Sequence, residues 1–314
     1  MNDAELLQQK EEMRRNQYLA LNGGIAAIVA ALSMVVIKAI AYILSGSSSI
    51  LASLIDSVTD TAVSLITVFS IRYSMKPADE DHRHGHGKIE GVSALFQGAM
   101  LAGAALFLTL DAIRIFIRPT EITHHQFSGG MIVLCIVITF ILILYQNHVM
   151  KKSKSLAIEA DKAHYTGDLF MNLGVLAVIV LDVFNAPHWL DPLFALCVAG
   201  LLANSATEVS SKAIDMLVDR ELPEEEREEI MAMICKHEDV LDVHDLRTNK
   251  SGMNVFISFD IDLEPNLSLK QAHDIARDVE LALLERFVNA EIMIHMDPHG
   301  SEMDTRHKVA GVHH

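Results

Sequence analysis

Cysteine is scarce: the 314 residues include only Cys135, Cys197 and Cys235, far apart and forming no CxxC pair. Neither a disulfide framework nor a thiolate metal site is indicated, and the thiols are expected to be buried or reduced. Basic residues are in deficit as well. Twenty-five Lys and Arg face 41 Asp and Glu, for a formal net charge of −16. Because basic surface supplies most of the affinity for nucleic acid, no nucleic-acid partner is expected. No HExxH occurs, so the arrangement an intramembrane zinc protease would carry is missing.

Apolar residues, by contrast, are abundant, at 51% of the chain. They fall into six blocks, about 18–44, 50–74, 92–117, 128–150, 157–184 and 190–212. Each is long enough to cross a bilayer, which takes roughly 20 helical residues. Beyond residue 212 charge becomes dense and no further span follows. The reading is a polytopic α-helical membrane protein: an N-terminal segment over 1–17, six spans over 18–212, a soluble domain over 213–298 and a disordered tail over 299–314. No cleavable leader is expected, since residues 1–17 are strongly charged and the first apolar block outruns a signal peptide's apolar core. Lys10, Arg14 and Arg15 precede the first span, and Lys76, Arg83, Lys88, Lys151, Lys152 and Lys154 fill the second and fourth bridges. The positive-inside rule then puts both termini and the soluble domain in the cytoplasm.

Ionisable groups at bilayer depth cost several kcal/mol, so each needs a reason. In SLIDSVTDTAVS, Asp56 and Asp60 lie four residues apart, hence on one helical face, with Ser53, Ser57 and Ser64 extending the stripe. EADKAHYTGDLFMN repeats the spacing with His164 and Asp168, and Asn172 follows one turn on. Two such helices can converge on one ion with three carboxylates and an imidazole. That set suits Zn²⁺, with Fe²⁺, Mn²⁺, Co²⁺ and Cd²⁺ as competitors. Polar glue between helices is the other reading, but three aspartates without a compensating cation would repel one another. Lys38 is expected to snorkel from the end of the first span. Small residues four apart, Gly98 with Ala102 and Ala99 with Gly103, predict close helix contact, and Trp189 reads as an interfacial anchor.

The bridge DHRHGHGKIE at 81–90 packs three histidines and two carboxylates between apolar runs. The soluble part reads as αββαβ: a helix over about 223–236 with Pro223 in its first turn, strands near 240–248 and 253–263, a helix over about 269–287 capped by Ser268, and a strand at EIMIHMD. This pattern predicts a small α+β ferredoxin-like sandwich.

The DxxxD and HxxxD pairs on the second and fifth spans, the loop PADEDHRHGHGKIE, and HDLRT and IHMDP in the tail resemble the cation diffusion facilitator family of metal exporters. The resemblance runs from about residue 20 to 298. It implies a homodimer in a bacterial inner membrane that exports Zn²⁺ or Fe²⁺ in exchange for protons, and no enzyme activity. It places the transport site at Asp56, Asp60, His164 and Asp168, and a loop site at Asp79, His82 and His86. A zinc site in the cytoplasmic domain falls at His244, Asp260, His273, His295 and Asp297, with Asp260 standing where a histidine is expected. A charged contact between domains falls at Lys88 and Asp219. An exporter of mainly Fe²⁺ or Mn²⁺, and a membrane metal sensor that does not transport, are the alternatives.

Overall fold

The structure, a computed structural model, describes residues 3–46, 48–117, 128–183, 187 and 189–300. The expected tail beyond His299 lies almost wholly outside them. The chain divides into two compact units, one holding residues 17–214 and one built on the chain from Asp215 onward.

Six long helices make up the first part: α1 (Asp3–Ser45), α2 (Ser48–Ser74), α3 (Ile89–Ile117), α4 (Ser128–Ser153), α5 (Leu156–Val183) and α6 (Leu190–Leu217). Helix α1 begins at Asp3 rather than near residue 18, because the charged stretch before the apolar block consists largely of good helix formers. Among the described residues, five of these helices are long and apolar enough to cross a membrane. Helix α5 carries Glu159, Asp161, Lys162 and Asp168 in its first half and an apolar run after Asn172. Its neighbours account for this. Helix α5 packs on α2, α3 and α4, and Ala157, Ile158, Ala160, Asp161 and Tyr165 on it are fully buried. The bundle carries its apolar side chains outward instead, with Phe69, Phe107, Phe116 and Ile141 all more than half exposed. Such a surface suits lipid rather than water.

Two expectations change here. Lys38 does not snorkel: it is buried, and its Nζ donates to Ser57 Oγ at 2.7 Å and to the Ser53 carbonyl at 3.0 Å. Acceptors on the neighbouring helix hold the ammonium more closely than the interface would. Of the small-residue positions, Gly98 does mark a close approach, since a Cβ there would stand 2.3 Å from Ser210 Oγ on α6. Gly103 faces open space.

The second unit follows the order α7 (Glu224–Ile234), β1 (Asp242–Ser251), β2 (Asn254–Leu263), α8 (Leu269–Arg286) and β3 (Ala290–Pro298). Pro223 is the N-cap of α7 rather than a first-turn residue. Ser268 and Gln271 form a reciprocal capping box on α8. Strands β1 and β2 pair antiparallel, and β3 lies parallel to β2 after the α8 crossover. Alternation along β2 sorts its residues cleanly: Ile257, Phe259, Ile261 and Leu263 are buried against Ile230 and Ile234 of α7 and Ile275, Val279 and Leu283 of α8. Burial of a large side chain such as Phe259 contributes about 1.5–3 kcal/mol. The intervening Ser258, Asp260 and Asp262 therefore point to the opposite, helix-free face.

Candidate metal centres

Among the described residues, three clusters of potential metal ligands form, one on the spans, one on the loop and one on the sheet. On the spans, α2 supplies Asp60, and α5 supplies His164 and Asp168 one turn apart. His164 Nε2 lies 3.1 Å from Asp60 Oδ1 and 3.6 Å from Asp168 Oδ2. All three are largely buried, and ligand atoms from the three lie within 4.8 Å of one another. Asp56 is not in this close group. It sits one turn earlier on α2, on an exposed side, where Ser53 and Ser57 beside it are engaged by Lys38.

Next to the cluster stands a residue that the sequence reading passed over. Asp161, fully buried one turn before His164, accepts from Gln146 Nε2 at 2.6 Å, Thr67 Oγ1 at 3.3 Å and Ser64 Oγ at 3.5 Å. Gln97 extends the network to Thr67 at 3.1 Å, and the Tyr165 hydroxyl lies 2.7 Å from Ser64 Oγ. Positions 161, 164, 165 and 168 share one helical face, and that spacing was the available signal. Glu90, in the loop's GKIE, is buried too and accepts from Ser74 Oγ at 2.9 Å and Ser155 Oγ at 2.5 Å. It ties the starts of α3 and α5 to the end of α2.

On the loop, Asp79 is the organiser. Its Oδ1 accepts from the backbone N–H groups of Asp81 and His82, at 3.1 and 2.7 Å, and lies 3.0 Å from His82 Nδ1. Its Oδ2 lies 3.3 Å from His86 Nε2. The His82 backbone N–H, then its side chain, hold the Asp79 carboxyl below the usual carboxylate range. Gly85, at φ +72°, makes the turn that returns His86 toward Asp79. The His86 ring is buried edge-on against Tyr73, 4.8 Å between centroids, and its Nδ1 has no hydrogen-bond partner. Lys88 closes the loop ahead of α3.

On the helix-free face of the sheet, His244 Nε2 stands 3.8 Å from Asp260 Oδ2 and 3.6 Å from Asp297 Oδ2, and His295 Nε2 is 3.2 Å from Asp297 Oδ1. Partial burial pushes the Asp260 carboxyl up from its ordinary value. Asp262, which the sequence reading did not select, joins them 3.7 Å from His244 Nδ1. Neither was His299 assigned; its Nδ1 lies 3.1 Å from Asp262 Oδ2. His273 is not brought to this group within one protomer. It is exposed on α8, which packs on the other face of the sheet. Asp219 precedes α7 with φ +57° and accepts a hydrogen bond from Asn249 Nδ2.

A bundle of apolar helices with a buried carboxylate–imidazole cluster, joined to a small α+β unit, describes a membrane carrier of metal cations. Residues 24–218 match the family described as the cation efflux transmembrane domain, and residues 222–299 match the cation efflux protein cytoplasmic domain. The chain belongs to this cation efflux family of transporters. Among its relatives, the cation-efflux pump FieF of Salmonella arizonae is 40% identical over 280 residues, covering 89% of this chain and 93% of the relative. The pump of the same name from Salmonella newport matches to the same extent. Among solved structures, the metal-bound C-terminal domain of the CzcD transporter from Thermotoga maritima is 25% identical, with a TM-score of 0.25, and covers 26% of this chain and 100% of that one. A cytosolic domain of a cation diffusion facilitator family protein is 27% identical, with a TM-score of 0.23, and covers 24% and 93%.

Proposed function

We propose that this transporter exports divalent metal ions, Zn²⁺ foremost with Fe²⁺ and Cd²⁺ as further substrates, in exchange for protons. The observation that carries the reading is the buried group of Asp60, His164 and Asp168, one imidazole and two carboxylates drawn together from two helices. Mixed nitrogen and oxygen donors of this kind suit Zn²⁺ better than harder ions. Asp56, one turn away on α2, is the fourth ligand once a rotamer change brings it in.

Ligands must be deprotonated to hold a metal, so protons and metal compete for the same side chains. Moving one charge across 100 mV costs about 2.3 kcal/mol, so export of a divalent cation against an inside-negative potential costs about 4.6 kcal/mol. Each proton returning the other way offsets about half of that. The loop group of Asp79, His82 and His86 is a second metal site. The sheet group binds metal at the junction of two protomers in a homodimer, where the partner's copy of α8 supplies the exposed imidazole of position 273. The basic bridges favour an orientation with both termini and the C-terminal domain on the cytoplasmic side of a bacterial inner membrane, by the positive-inside rule.

Purified protein in proteoliposomes loaded with a zinc-sensitive dye tests the reading. Zinc flux that a pH gradient accelerates is expected. Zinc binding without flux would instead make the protein a sensor.

A further inference from the structure

The carboxylates on the spans have a fixed cation beside them, which sequence spacing does not reveal. Lys38 of α1 is buried, and its Nζ is held against α2 by Ser57 Oγ at 2.7 Å and the Ser53 carbonyl at 3.0 Å. Ser57 follows Asp56 in the chain and precedes Asp60 by three residues, so the ammonium is tethered within one helical turn of both. Its charge acts on Asp56 and, across the bundle, on Asp168. Both of its acceptors are neutral. The ammonium is therefore kept beside the cluster without occupying the carboxylate oxygens that an ion needs.

Packing alone does not account for a lysine at this position. A long apolar side chain would fill the same space without the cost of burying an ammonium. The sign of the lysine's effect on the cluster is fixed by charge. Lys38 attracts the empty carboxylates and repels any cation they hold, and a divalent ion is repelled twice as strongly as a singly charged one. Asp56, Asp60 and Asp168 set three carboxylates against the one imidazole of His164, with the carboxyl of Asp161 a turn away. Such a set, largely out of water, would hold a divalent ion tightly, whereas an ion in transit must be held weakly enough to leave.

We propose that Lys38 is a built-in counter-cation of the transport site, a tethered positive charge that lowers the site's affinity for a divalent ion. The proposal rests on the reading of Asp60, His164 and Asp168 as that site. It adds a residue that acts on the ion through its charge and through no ligand bond.

The test uses the full-length protein in detergent, with zinc chloride as the probe, read by equilibrium dialysis across a range of free zinc. The ion bound by the wild type and lost in Asp168→Ala reports the transport site. Its affinity is expected to rise about tenfold in Lys38→Gln and Lys38→Met, which remove the charge. Ser57→Ala breaks the same 2.7 Å bond from the other end but keeps the charge, and it frees the ammonium to approach the carboxylates. Zinc is expected to bind that variant more weakly than the wild type. A purely structural role for the Lys38–Ser57 bond predicts weaker binding whichever end is changed. Lys38→Gln and Lys38→Met binding zinc no more tightly than the wild type, or Ser57→Ala tightening it as they do, would overturn the proposal and leave the site standing. No difference in bound zinc between wild type and Asp168→Ala would overturn the reading of the site, and the proposal with it.

Discussion

His164 Nε2 on α5 stands 3.1 Å from Asp60 Oδ1 on α2, joining two helices through one imidazole at the polar centre of an apolar bundle. The same nitrogen lies 3.6 Å from Asp168 Oδ2. A single donor atom facing two carboxylates is a geometry that a cation can take over with little movement. The identity of that donor therefore sets which cation is favoured.

Replacing the imidazole tests this selectivity. His164→Asp leaves an all-oxygen cluster, which suits Mn²⁺ better than Zn²⁺. Competition between the two ions in a flux assay is expected to show a reduced zinc preference in the variant. An unchanged ratio would mean that selection occurs elsewhere on the path.

Asp161 concerns stability as much as transport. Removing its carboxyl in Asp161→Leu strands the Gln146 amide donor, at about 1–3 kcal/mol for a buried donor left without a partner, while Thr67 keeps the Val63 carbonyl and Ser64 keeps the Tyr165 hydroxyl. Asp161→Asn should cost less. Gln146 Oε1 is buried with no partner of its own, so a flip of the Gln146 amide could present that oxygen to the new NH₂ group. Thermal unfolding in detergent is expected to rank wild type, then Asn, then Leu, and equal melting temperatures would show that the network is not stabilising.

Helix contact provides a third test with an internal control. At Gly98 a Cβ would meet Ser210 Oγ at 2.3 Å, while at Gly103 it would meet nothing within 4 Å. Gly98→Val is expected to destabilise by about 1–3 kcal/mol through overpacking. Gly103→Ala should be neutral or slightly stabilising, because alanine is the better helix former. The same pair of unfolding curves checks both.

Acidity acts on the loop with a definite sign. The Asp79 carboxyl has its pKa depressed in the folded loop, chiefly by the His82 backbone N–H. Its contribution to loop order is therefore present above the ordinary carboxylate value, about 4, and is lost as the pH falls through the depressed value. Amide hydrogen exchange at His82, after correction for the intrinsic rate, is expected to accelerate only below that range. In Asp79→Asn the acid-induced step should be absent.

Much of the site was legible in the sequence, because helical spacing is a one-dimensional signal. The four-residue intervals in DSVTD and HYTGD place each pair on one face, and apolar runs announce the helices around them. The spacing of Asp161 from His164 and Asp168 marks a shared face, but its significance lies in Gln146 and Thr67 on other helices, which spacing along α5 does not reveal. Lys38 was misjudged for a similar reason, since its acceptors Ser53 and Ser57 belong to the next helix. In the sheet, alternation separated core from open face, but which residues stand side by side depends on register. Asp262 and His299 became visible as candidate ligands only once β1, β2 and β3 were aligned.

In the proposed transport reaction the ion crosses the membrane on the buried cluster of α2 and α5. Zinc flux into dye-loaded proteoliposomes, compared between wild type and Asp168→Ala after both elute as the same folded species on size exclusion, tests it most directly. Rapid flux is expected for the wild type and background leak for Asp168→Ala. Wild-type flux in a folded Asp168→Ala protein would contradict it.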